Sequence, residues 1–179
     1  MKQLFRKFFE YLRGEPQHLD KLIKRGLTVG KNFSRMGGVI IDPSHCYHIT
    51  IGDNVTLAPR VHILAHDAST YAYLGKTRVA NVTIGNDVFV GADTIILPGV
   101  HIGNRVIIGA GSVVAKDIPN NSVAIGNPTK VICPIEEYLE REKSKMCAEN
   151  TFVGLDWEKP KDITKAIAAA DKYGEIFVS

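Results

Sequence analysis

From Ile51 onward an aliphatic residue returns every six positions, at Ile51, Leu57 and Ile63, and after an interruption at Ile84, Val90, Ile96, Ile102, Ile108 and Val114. The next residue is Gly at 52, 85, 91, 103 and 109, and Ala at 58 and 115. Four places after each aliphatic except Ile63 stands a second apolar or small residue: Val55, Val61, Val88, Thr94, Val100, Val106, Ser112 and Ile118. A fainter copy precedes them in Val29-Gly30, Phe33, Val39 and Ile41. This period is that of a short strand with two inward positions followed by a turn, repeated as the flat sides of a prism. Three sides make a coil of about 18 residues, and coils stack at the parallel-strand spacing of about 4.8 Å.

Composition agrees with so narrow a bore. The 179 residues include 16 Gly, only 8% aromatics and one Trp, so aliphatic side chains must build the core. A hydrophobic share of 45% suits one domain with appendages. Mean hydropathy of −0.02 and the lack of a long apolar run predict no membrane span. A dispersed net charge of +3 gives no reason to expect a nucleic-acid partner. Cys46, Cys133 and Cys147 are odd in number and lack metal-ligand spacing. With no secretory signal at the N-terminus, they read as free thiols in a reducing compartment, and the expected location is cytoplasmic.

The run Ile84-Gly-Asn-Asp-Val-Phe, Val90-Gly-Ala-Asp-Thr-Ile, Ile96-Leu-Pro-Gly-Val-His, Ile102-Gly-Asn-Arg-Val-Ile, Ile108-Gly-Ala-Gly-Ser-Val resembles the hexapeptide-repeat acyltransferases. Val114-Ala-Lys-Asp-Ile-Pro and Gly126-Asn-Pro-Thr-Lys-Val-Ile resemble that family's last coil. The resemblance covers residues 27–132. It implies an all-β solenoid, a left-handed parallel β-helix that is single-stranded and three-sided, with about five coils. It also implies a homotrimer with sites in the clefts between subunits, and acyl transfer from acetyl-CoA to a sugar or related hydroxyl. Two other readings remain: a zinc enzyme like the γ-carbonic anhydrases, which share the fold, and a non-catalytic trimeric scaffold.

The period fails between Ile63 and Ile84, and Asp67 falls where an inward apolar residue is due. An extended loop over 67–81 therefore leaves the prism, and solenoid insertions usually map to a binding face. His66 stands at its root and matches the histidine that precedes the long loop in hexapeptide O-acetyltransferases. Imidazole suits a general base near neutrality. The resemblance implies direct transfer without an acyl-enzyme, His66 taking the acceptor proton and returning it to the leaving thiolate. Asp67 or a backbone carbonyl would orient its ring. Around Asp42-Pro43-Ser44-His45-Cys46 the repeat is irregular again, and His45 holds a slot due an apolar residue. In the maltose and galactoside branch an asparagine near here helps hold the acceptor, but its place falls at Gly37. Asp42 and His45 are candidate acceptor contacts in its stead, with Asp67 and Phe89, the latter standing where relatives carry a tryptophan. Cys46 is not expected to act as a nucleophile. His18, His62 and His101 read as solvent-facing corners, and no metal is expected.

For the donor, the resemblance carries over Gly91, Ala92, Gly109 and Ala110 as thioester and pantetheine contacts. Lys116 and Lys130 would meet phosphates, and Pro128 would pack on adenine. Ala92 stands where some relatives carry a serine, which leaves a backbone N–H to hold the oxyanion.

Residues 1–26 read as an N-terminal helical cap. Leu4, Phe5, Phe8, Phe9 and Leu12 share one helical face, and Leu19, Leu22, Ile23 and Leu27 mark a second short helix. Capping the open apolar end is preferred to a peripheral membrane contact, because five apolar residues are few for anchoring. Residues 133–179 read as a C-terminal helical tail. A helix spans Ile135 to Lys145, loop fills Asn150 to Pro160, and Asp162 caps a last helix that ends at Gly174.

Overall fold

The computed structural model describes residues 18–179; the expected helix over residues 2–13 lies outside them. The chain divides into two compact units, the first running to Ile135 and the second spanning Glu136–Ser179. The first is the expected prism. Its first wall stacks Thr28–Val29, Ile49–Ile51, Val82–Ile84 and His101–Ile102, with Ile118 bridged to Ile102. The second stacks Ser34–Arg35, Thr56–Leu57, Val88–Val90, Val106–Ile108, Ser122–Ile125 and Lys130–Pro134. The third stacks Ile40–Ile41, His62–Ile63, Ile95–Ile96 and Val113–Val114. Four coils are complete and a fifth begins.

Every pairing in the walls is parallel except the last, where Lys130–Pro134 turns back antiparallel on Ser122–Ile125. The register sets Ile41 beside Ile63, Ile63 beside Ile96 and Ile96 beside Val114. All four are fully buried. Among the described residues the buried core of this unit contains no aromatic ring; Phe33 only packs partly against it. Each buried Ile or Leu contributes roughly 1.5–3 kcal/mol, so the columns are the main source of stability.

The corners divide their work between two positions. Gly91 has no unusual backbone angle, yet a Cβ there would lie 2.4 Å from the backbone nitrogen of Ala110 in the next coil. It is glycine because coils approach closely, not because the turn needs it. The left-handed residue comes two places later; it is glycine at 38, 99 and 111, but Asn32, Asn54, Arg60, Asp87, Asp93, Arg105 and Asn121 also take it, with φ between 54° and 60°. Short polar side chains tolerate that conformation better than most.

Helix α1, Leu19–Lys24, opens the described chain. Leu22 and the following Leu27 are buried in the core. The excursion also appears where the period fails. His66–Asp67 pairs antiparallel with Arg78–Val79, short helix α2 (Tyr71–Leu74) lies between them, and the first wall resumes at Val82.

Helix α3, Ile135–Ser144, starts on the last residue of the first unit, and helix α4, Pro160–Tyr173, lies in the second. Two expectations need correction. The cap of α4 is Lys159 followed by Pro160 at the first helical position, where its missing N–H costs nothing. Asp162 instead lies inside the first turn and accepts the Asp156 N–H at 3.1 Å. The stretch read as loop contains a strand, Thr151–Phe152, paired in parallel with Phe177–Val178. Gly174 does end α4, with φ of 81°.

Candidate active site

Asp42 follows Ile41 out of the third wall, and His66 leaves the same edge one coil later, after Ile63. Stacking thus brings together two residues 24 positions apart. His66 Nδ1 lies 2.5 Å from Asp42 Oδ2. The Asp42 side chain is 0% exposed, and that of His66 is 33% exposed. Backbone N–H groups complete the carboxylate's partners, Ser44 and His45 donating to Oδ1 at 2.9 and 3.0 Å and Ala65 to Oδ2 at 3.0 Å. Burial pushes the carboxyl pKa up, but the hydrogen bonds from His66, Ala65, His45 and Ser44 outweigh it and hold it below the usual carboxylate value. Both Asp42 oxygens are thus engaged, and no part of the side chain is open. Asp42 meets the His66 ring nitrogen, where reading the sequence expected Asp67 or a backbone carbonyl.

Asp67 is occupied elsewhere. Its Oδ1 accepts the Ser69 N–H at 2.8 Å. Ser69 holds its carboxyl below the usual range, and the charge of Arg78 across the hairpin adds to this. His45 does turn toward His66, with ring centroids 4.7 Å apart. It is free to do so because the buried slot goes to its neighbour Cys46, which is 0% exposed and directs its sulfur to the Leu22 carbonyl at 3.6 Å.

Asp42, His45 and His66 each offer a metal-ligating atom within 4.8 Å of the others. The 2.5 Å between His66 and Asp42 nevertheless fits a shared proton better than a shared ion. Tetrahedral ligands at about 2.0–2.2 Å from zinc stand roughly 3.3 Å from one another.

The donor candidates gather on another edge. Gly91 and Ala92 follow Val90 out of the second wall, and Gly109 and Ala110 follow Ile108 directly beneath them, the Gly91 N–H donating to the Ile108 carbonyl at 2.8 Å. Pro128 sits in the turn that continues this edge, where Thr129 donates to the Val113 carbonyl. Lys130, paired with Ile125, is exposed nearby, and the Ile125 side chain faces Gly109. Lys116 does not join them. It follows Val114 on the edge that carries His66 and is exposed. Phe89 is 45% exposed on the outer face of the second wall, between Thr56 and Ile107. Within one chain, then, the third wall separates the histidine edge from the small-residue edge. Between them a surface hollow of about 410 Å³ is lined by Gly38, Arg60, His62, Asp93 and Ile95. Arg60 closes its rim with two hydrogen bonds to Asp93 at 2.7 and 2.6 Å.

The described chain is thus a coiled parallel scaffold with a histidine–aspartate pair at its long interruption. Residues 81–116 match the family model for bacterial transferase hexapeptides of six repeats. Protein CapG of Staphylococcus aureus is 40% identical over 146 residues, covering 77% of this chain and 81% of that protein. Galactoside O-acetyltransferase of Escherichia coli strain K12 is 42% identical over 115 residues, covering 62% of this chain and 55% of that one. The crystal structure of a maltose O-acetyltransferase from Clostridium difficile 630 superposes with a TM-score of 0.55 at 33% identity, covering 72% of this chain and 83% of that one. The chain belongs to the hexapeptide-repeat acyltransferase family and is an acyltransferase. It spans four-fifths of CapG but little more than half of the galactoside enzyme. No helix among the described residues is long and apolar enough to cross a membrane.

Proposed function

We propose that this chain is an acetyl-CoA-dependent O-acetyltransferase acting on a sugar hydroxyl, with His66 as general base. The Asp42–His66 hydrogen bond carries this reading. It fixes a proton on Nδ1 and leaves Nε2 as the basic nitrogen, on a side chain that solvent reaches. In the proposed reaction Nε2 takes the acceptor's hydroxyl proton as the oxygen attacks the thioester carbonyl. The tetrahedral oxyanion is held by a backbone N–H at Ala92. Collapse breaks the carbon–sulfur bond, and the imidazolium returns its proton to the departing thiolate. Asp42, kept ionised, stabilises that imidazolium.

The acceptor class is supported by the names of two relatives, a galactoside and a maltose O-acetyltransferase. The donor would lie along Gly91, Ala92, Gly109 and Ala110, with Pro128 and Lys130 at its nucleotide end. Because the third wall separates that edge from His66, the proposed enzyme is a left-handed β-helical homotrimer, each site formed by the histidine edge of one copy and the small-residue edge of the next. Lys116, Phe89 and Asp67 would then meet donor or acceptor across the cleft. The free cysteines and an acyl-CoA donor fit a cytoplasmic location. The test is thiol release from acetyl-CoA against a panel of sugars. Turnover with at least one sugar hydroxyl is expected. Acetyl-CoA that neither binds nor turns over would refute the reading in favour of a scaffold.

A further inference from the structure

Building on that reading of His66, we propose that His45 is a positioning residue whose ring face fixes the plane of the His66 imidazole. One hydrogen bond, His66 Nδ1 to Asp42 Oδ2, fixes a point on the ring but not its plane. A side chain that is 33% exposed has room to swivel about that point, and swivelling would move Nε2 off the acceptor hydroxyl. The His45 ring closes that freedom. It packs on His66 at 4.7 Å between centroids with a 38° tilt, within the usual range of aromatic contact.

His45 also grips the other member of the pair, since its backbone N–H donates to Asp42 Oδ1 at 3.0 Å. Its own Nδ1 is buried without a hydrogen-bond partner and stands 3.9 Å from Asp42 Oδ1, beyond bonding reach. That nitrogen therefore does not hold the ring in place, and the contact with His66 is made by the ring's face. The wall is backed in turn. Tyr47 tilts against His45 at 6.0 Å and against His48 at 4.8 Å. His48 Nδ1 lies 2.6 Å from Asn81 Oδ1, in the short link between Arg78–Val79 and the strand Val82–Ile84 that returns the chain to the prism. Buried Cys46 anchors the turn between them.

The rival role for His45, contact with the acceptor, predicts something different. Two substitutions in the full chain, His45→Phe and His45→Ala, separate the two. One readout is the His66 Nδ1–H resonance in side-chain ¹⁵N-edited NMR, assigned by its loss in His66→Ala. The other is the split of kcat from the two KM values. Phe keeps a ring face and should preserve the resonance and most of kcat. Ala should broaden the resonance and lower kcat about tenfold, with the KM for acetyl-CoA unchanged. If Phe is as impaired as Ala, or if Ala leaves both readouts at the wild-type level, the proposal is overturned. A raised acceptor KM at unchanged kcat would likewise overturn it in favour of substrate contact. Should Ala fail to fold, His45→Gln replaces it with the same expectations. If no acceptor is turned over by any form, the acetyltransferase reading falls while the resonance alone still decides the role of His45.

Discussion

Two edges of the same prism use corner side chains in opposite ways. Where the first wall turns into the second, side chains from one coil satisfy the backbone of the next. Asp53, Asn86, Asn104 and Asn120 accept the N–H groups of Lys31, Asp53, Asn86 and Asn104 at 2.6–2.8 Å. Where the third wall turns into the first, Asp42 does the same for Ala65, but the same oxygen also takes His66. The ladder is exposed, periodic and self-contained. The other edge is interrupted twice, by the turn over residues 42–48 and by the loop after His66, and each interruption turns a histidine outward. The repeat's internal bookkeeping closes one edge and leaves the other with a buried charge tied to an accessible imidazole. The proposed chemistry sits where the period fails.

Substitutions should separate the two edges sharply. On the interrupted edge, His66→Ala should lower kcat by about two to four decades while leaving the thermal midpoint near wild type; turnover within threefold of wild type would remove the base. Asp42→Asn should cost about a hundredfold in kcat through the wrong tautomer. It should also cost about 2 kcal/mol of stability, because a buried charged acceptor is lost. The stability cost has a pH signature. Folding lowers the Asp42 carboxyl below its ordinary value of 3.8. Its contribution is therefore complete above that value and is lost as pH falls through the lower folded value. Urea melts of the two forms should differ by a constant amount from neutrality to about pH 5 and converge below about pH 4; a gap that widens on acidification would reverse the assignment.

The small-residue edge should respond in packing. Gly91→Val places atoms against the Ala110 backbone and should cost roughly 1–3 kcal/mol in denaturant melts, with the His66 resonance unmoved. The smallest effect belongs to the ladder. Asn104→Ala removes the acceptor of the Asn86 N–H, at an exposed corner that water also reaches. It should cost about 1 kcal/mol or less and leave kcat unchanged. A kcat defect from Asn104→Ala, or none from Asp42→Asn, would erase the distinction between the edges.

The walls were legible because a period of six marks inward positions directly, and the register of Ile41, Ile63, Ile96 and Val114 follows from it. His66 was legible as the residue at which counting stops. Its partner was not. Asp42 lies 24 residues away, and only the stacking of one coil on the next makes them neighbours, whereas Asp67 merely sits beside His66 in the chain and points to Ser69. Four extra residues between Ile41 and the next strand shift the inward slot from His45 to Cys46, which no fixed spacing reveals. The strand Thr151–Phe152 is two residues long, too short for any alternation to register.

One chain holds the two edges apart, and the proposed trimer would bring them together between neighbouring copies. Mixing two impaired forms tests this most directly: His66→Ala, which lacks the base, and Ala110→Trp, which fills the exposed small-residue edge. Neither alone should turn over acetyl-CoA appreciably. After unfolding and refolding together in equal amounts, about a quarter of the clefts in random trimers would pair an intact histidine with an intact edge, so about a quarter of wild-type activity should return. Activity no higher than that of the separate forms would contradict a site shared between copies.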